Sequence, residues 1–280
     1  MTDEGRWPSV QRPIVLIAFS GWSDAADAAT EALDHIALSS HARDVLEIDL
    51  EDFMDFQASR PHTVLDDSGM RHIEWPTIRV RHGRIGESDI VLIDADEPNL
   101  RWRTLASDLA AQVAALQPRA VVFLGALLAD VPHSRPTPVT CTSVDPDVQA
   151  RCDIAPSTYE GPTGIVGVLS VTCAELDLPV TSLWAAVPHY VAQSPCPPAV
   201  LGLLSAVEDV VSMSLPQGDY PDQSRAWVRR CDELAADDED LRTYIEALQE
   251  QYDAEELPQT TGEAIAREFE RYLRRRATED

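Results

Sequence analysis

Short apolar runs rich in branched side chains recur along the chain at Ile14–Phe19, Val45–Leu50, Ile90–Ile93, Ala120–Leu124 and Val180–Val187. Each has the length of a buried strand, and turn residues bound most of them. Helical spacing fills the intervals. Ala25, Ala29, Leu33 and Ile36 recur between the first two runs, and Leu105, Leu109, Val113 and Leu116 lie ahead of the fourth. Strand alternating with helix predicts an α/β fold, with a mainly parallel sheet covered on both faces. The stretch "GPTGIVGVLSVTCAELDLP" at 161–179 is ambiguous by composition. It is expected to be helical, because the strand beginning at Val180 needs a crossover before it. "SPCPPAVLGLLSAVEDVV" then places prolines at a helix start and Leu203, Val207 and Val210 on one face.

Two regions depart from this rhythm. "RPHTVLDDSGMRHIEWPTIRV" at 60–80 alternates polar and apolar residues around Asp67-Ser68-Gly69, the pattern of a β-hairpin or meander inserted into the α/β plan. After Pro216-Gln217-Gly218 the chain turns acidic and keeps helical spacing, as in Trp227/Cys231/Leu234 and Leu241/Ile245/Leu248. The expected organisation is therefore an α/β domain over 1–218 and a helical C-terminal appendage over 219–280. A last helix is expected in "TTGEAIAREFERYLRRR", with Ile265, Phe269 and Leu273 four apart and arginines at its negative end.

Charge narrows the function. The formal net charge is −26, and all 22 basic residues other than histidine are arginine. Such an excess of carboxylates repels phosphate backbones, so nucleic acid and anionic membrane are not expected as partners. No apolar stretch has membrane-spanning length, and "MTDEGRWPSVQRP" lacks the order of a signal peptide, so a cytoplasmic protein is expected. The five cysteines are scattered without C-x-x-C spacing, which reads as reduced, packed thiols and not as a zinc site or disulfide framework. No metal, nucleophile-elbow or P-loop motif occurs, and no cofactor is expected.

Candidate chemistry gathers where strands end, because ligands of open α/β sheets bind beyond the carboxyl ends of the strands. In "SGWSDAADAA", one glycine is followed by Asp24 and Asp27. Two carboxylates in a first helical turn repel a phosphate and suit the helix dipole. They can form a capping-box-like pair, or serve as acid–base or metal-binding groups. In "ADVPHSRPTPV", His133 and Arg135 stand between prolines: a histidine can shuttle protons and an arginine can hold a carboxylate or phosphate. Each can equally be satisfied internally, His133 by backbone and Arg135 by an acidic neighbour. His189 in "VPHY", and Tyr159 and Glu160 in "YEGPTG", complete the candidate pocket.

Seven segments, "GWSDAADAA", "DFQASRP", "EPNLRWR", "LGALLADVPHSRP", "YEGPTGIVG", "SLWAAVPHYVAQSP" and "GEAIAREFERYLRR", occur in order between about residues 14 and 276. Together they resemble the actinobacterial branch of the proteasome assembly chaperone 2 family. The resemblance implies a three-layer α/β/α fold of the nucleoside-phosphorylase type with a mixed sheet. It implies self-association as a homo-oligomer, and a proteasome or another protein as partner. Family members that dock on the proteasome core often end in a hydrophobic-tyrosine-any-residue tail, whereas this sequence ends "RRRATED". The expected function is a non-catalytic protein-binding or assembly-chaperone-like factor. The alternatives are a small-molecule hydrolase or transferase on a phosphorylase-like fold, and a ligand-binding sensor.

Overall fold

The central strand of the sheet, β1 (Ile14–Ser20), alternates its side chains between two cores. Ile14, Leu16 and Ala18 join one buried cluster, and Val15, Ile17 and Phe19 join the other. That period of two is what a strand covered on both faces requires. The structure is a computed structural model that describes residues 6–66, 68–152, 154 and 159–256. The remaining strands are β2 (Arg43–Asp49), β3 (His62–Leu65), β4 (Arg71–Glu74), β5 (Thr77–Ile85), β6 (Ser88–Asp96), β7 (Ala120–Ala129), β8 (Val139–Ser143) and β9 (Val180–Pro188). Seven of them form one sheet in the order β2-β5-β6-β1-β7-β9-β8. The four central strands run parallel; β5 and β8 flank them antiparallel, and β2, antiparallel to β5, runs in the direction of the centre.

The helices are α1 (Ala28–Ser39), α2 (Trp102–Ala115), α3 (Pro146–Cys152), α4 (Ile165–Glu175), α5 (Pro197–Val211), α6 (Tyr220–Ala236) and α7 (Glu239–Glu256). Helices α1 and α5 cover one face of the sheet through Leu33, Ile36, Leu203 and Val207. Helices α2 and α4 cover the other through Leu105, Leu109, Ile165 and Leu169. The result is the three-layer α/β/α arrangement with a helical C-terminal region. The 161–179 stretch is helical as expected, because α4 is the crossover between β7 and its parallel neighbour β9.

Two expectations need correction, and two elements are new. The 60–80 stretch is not wholly an insertion: β3 and β4 form a separate hairpin, but β5 enters the main sheet between β2 and β6. On α6 the buried stripe is Trp227, Cys231 and Ala235, spaced four apart, while Leu234 points to solvent. Strand β8 and helix α3 have no counterpart in the apolar pattern, since β8 is a half-buried edge. The proposed helix around Ile265, Phe269 and Leu273 lies outside the described residues. All five cysteines are free thiols, three of them buried. Burial pushes Cys173 and Cys231 up to about 12, so both stay protonated and behave as packing groups.

Candidate functional site

Parallel pairing brings the ends of β1, β6, β7 and β9 to one edge of the sheet. The polar loops therefore meet along a common rim, which has two differently built halves.

The β1–β6 half begins at Gly21, whose φ of +96° is open to glycine and strained for other residues. The turn is tied to β7 by a bridge between Asp24 and Ala126, and the Ala126 N–H donates to Ser23 O at 2.8 Å. Ala26 and Asp27 are both left-handed. The Asp24 carboxylate then accepts the Ala29 N–H at 2.6 Å and the Thr30 hydroxyl, capping α1. Asp27 makes no side-chain capping bond, so the reciprocal pair expected from the spacing does not form. The intervening 3-10 turn breaks the register that a capping box needs. Burial raises the Asp24 carboxyl above its ordinary range, partly offset by its bonds from Thr30 and Ala29.

Tyr159 and Glu160 are exposed beside the loop that precedes α4, and Tyr159 donates its hydroxyl to Pro162 O at 2.8 Å. Two further residues contribute to this half. Glu97 accepts the Ile165 N–H at the start of α4, at 3.1 Å. Ser23 is fully buried, and its hydroxyl has no hydrogen-bond partner among the described residues. A Cβ at Gly164 would stand 2.7 Å from Glu97 Oε1, 2.9 Å from Ser23 Oγ and 3.1 Å from the Trp22 ring. Only glycine lets these three groups close on the helix start. Trp22 and Tyr159 remain 65% and 69% exposed.

The β7–β9 half is covered by the C-terminal helices. His133 is buried; its N–H donates to the Tyr190 hydroxyl at 2.7 Å, and that hydroxyl lies 2.8 Å from His133 Nδ1. The Tyr190 hydroxyl thus bridges the backbone N–H and the ring of the same residue. Nε2 faces Asp232 of α6 at 3.1 Å. Burial pushes the Tyr190 hydroxyl up to about 12. The next residues continue the grip on α7. Gln249 donates to Ser134 Oγ at 2.6 Å, Arg135 donates twice to Asp253 at 2.7 Å, and the Tyr252 hydroxyl donates to Pro136 O at 3.1 Å. His189 meets Asp130 at 3.2 Å, and Asp130 also accepts the Tyr244 hydroxyl at 3.1 Å. The hydrogen bond from Arg135 holds the Asp253 carboxyl below its ordinary range.

The candidate residues thus fall into two groups along one rim. Asp24, Asp27, Tyr159 and Glu160 belong to the β1–β6 half; His133, Arg135 and His189 belong to the β7–β9 half. Both ring nitrogens of His133 are occupied by Tyr190 and Asp232, and both faces of the Arg135 fork that are bonded go to one carboxylate. These contacts tie the loop after β7 to Tyr190, α6 and α7. Among the described residues, no group of three or more His, Cys, Asp or Glu is arranged to hold a metal ion. No helix among them is long and apolar enough to cross a membrane.

Residues 18–235 match the PAC2 family. The chain is similar to a PAC2 family protein from Streptomyces avermitilis, at 44% identity and a TM-score of 0.77, over 83% of this chain and 99% of that one. It is similar to a proteasome-assembly chaperone homologue from Mycobacterium tuberculosis, at 42% identity and a TM-score of 0.76, over 83% of this chain and 99% of that one. It shares its fold with PbaB of Pyrococcus furiosus, an archaeal proteasome activator, at 12% identity and a TM-score of 0.64, over 82% of this chain and 96% of that one. No match was found among curated proteins.

Proposed function

This chain belongs to the PAC2 family, and we propose that it is a non-catalytic, self-associating protein-binding factor that acts on proteasome components in the cytoplasm. The observation that carries this reading is how the rim is used. In the β7–β9 half, His133, Ser134 and Arg135 are committed to α6 and α7. In the β1–β6 half, Trp22 and Tyr159 stand exposed, and Asp27, Asp96, Glu97 and Glu160 of the same half form no salt bridge among the described residues. Exposed aromatics in the same half as carboxylates that no described cation matches suit a partner that offers apolar and basic groups. The names of the mycobacterial and archaeal relatives supply the kind of partner. In this reading the body comprises 1–218, and 219–280 is a helical appendage that shapes the rim.

The test is size-exclusion chromatography with light scattering at micromolar concentration, with and without purified actinobacterial proteasome α subunits. The protein alone is expected to run larger than a monomer. With α subunits it is expected to co-elute at low salt and to release as salt rises. Trp22→Ser is expected to weaken the complex by about tenfold, in keeping with an aromatic hot spot, without lowering Tm. Absence of any complex at low salt removes the proteasome reading, and a monomeric mass removes self-association.

A further inference from the structure

At the opposite edge of the sheet from the rim lies a cavity of about 590 Å³, a volume in the range of small-molecule sites. It is bounded by the N-terminal segment from Arg6 to Ser9, by Val45 of β2, by His82 of β5 and by the last turn of α2 at Gln112, Ala115 and Leu116. One wall is apolar, made by Trp7, Val45, Ala115 and Leu116. Trp7 and Val45 are also packed against the buried cluster on this face, which fixes that wall in place.

The polar lining comes from the same elements: Arg6 and Ser9 flank Trp7, Gln112 precedes Ala115 on α2, and His82 is on β5, which pairs with β2. His82 Nε2 lies 3.0 Å from Asp89 Oδ1, and the Gln11 N–H donates to Asp89 Oδ2 at 3.4 Å. Burial opposes ionisation of Asp89, yet the bonds from His82 and Gln11 and the charge of Arg84 outweigh it and hold the carboxyl below its ordinary range. An ionised Asp89 keeps a proton on Nε2, orients the ring and leaves Nδ1 as its second polar atom. The side chains of Arg6, Ser9 and Gln112 form no hydrogen bond or ion pair among the described residues. Among the described residues, no carboxylate lines the cavity, although the chain as a whole carries −26. A guanidinium, an imidazole, a hydroxyl and an amide sharing one cavity with an indole and aliphatic side chains form a complement to a planar anion with a hydrophobic body.

We propose that this cavity binds a small organic carboxylate with an aromatic-sized apolar body, its carboxylate on Arg6 and its ring between Trp7 and Leu116. The proposal does not depend on the protein-binding reading of the rim. The probe is 2-naphthoate, titrated calorimetrically into the full chain, with 2-naphthamide as the neutral comparator. Binding with one site per chain is expected, with the amide about tenfold weaker or worse, since a charged hydrogen bond is replaced by a neutral one. Arg6→Gln is expected to weaken naphthoate by about tenfold. Ala115→Phe is expected to abolish binding by filling the cavity. Arg6 is exposed, so its variant tests the site even where the Ala115 variant fails to fold. No binding by the unaltered chain, equal affinity for the amide, or full affinity in Arg6→Gln would each overturn the proposal.

Discussion

The two halves of the strand-exit rim start from similar loops and differ in what covers them. Beyond β7 and β9, every polar side chain from Asp130 to Arg135 that could do chemistry is bonded to Tyr190, α6 or α7. Beyond β1 and β6, the Asp24 carboxylate turns inward to cap α1, and Trp22 and Tyr159 are left in solvent. The polarity of a loop therefore does not identify a site; whether its polar groups have already been satisfied does. The half that looked richest in catalytic residue types is the half that is closed.

The largest effect that would sharpen this contrast is expected from Trp227, the buried anchor of α6 that also faces the His133 ring at 6.4 Å. Trp227→Ala should cost about 3–5 kcal/mol in denaturant unfolding, the usual cost of emptying a buried aromatic position. It should also expose α6 and α7 to protease while the sheet persists. Retention of full stability would mean that the β7–β9 half is not closed by packing. A smaller effect is expected in the other half. Asp24→Ala should cost about 1 kcal/mol through loss of a helix cap, measured the same way.

The pH dependence of these two halves has opposite sign. The Asp24 pKa is raised by burial, so the protonation-linked part of its contribution to stability is full below about 3.8, the ordinary aspartate value, and is lost as pH rises through the raised value, while the bonds from Ala29 and Thr30 persist. The gap between the unaltered chain and Asp24→Ala should narrow accordingly. Asp253 is held low by Arg135, so its contribution is present above the ordinary value and is lost as pH falls through the lowered one. Asp253→Asn should give the smallest effect: faster amide exchange in α7 at neutral pH, with the difference vanishing in acid. Parallel behaviour of the two variants would erase the distinction between the halves.

Much of the fold was legible because burial on both faces writes itself as apolar runs. The predicted strands at Ile14–Phe19, Ile90–Ile93, Ala120–Leu124 and Val180–Val187 all lie in the parallel centre of the sheet. Strand β5 was hidden by Arg79, Arg81 and His82, whose polar ends are matched by Asp94, Asp34 and Asp89 from other elements. Strand β8 was hidden because an edge strand need not be apolar. The rim was legible in location but not in its division. The partners of His133 and Arg135 stand 99 and 118 residues away, and no local pattern announces them. Glu97 and Ser23 were missed for the same reason, since their meeting with Gly164 exists only after the sheet has formed.

Those long separations also order events during synthesis. The segment that grips α6 and α7 leaves the ribosome about a hundred residues before the helices do, and it must be positioned by β7 and β9 before it offers anything to hold. The last helices are therefore expected to dock onto a body already assembled. A chain halted near residue 218 should expose the His133 and Arg135 loop as unsealed surface, a transient opening that the finished molecule no longer displays.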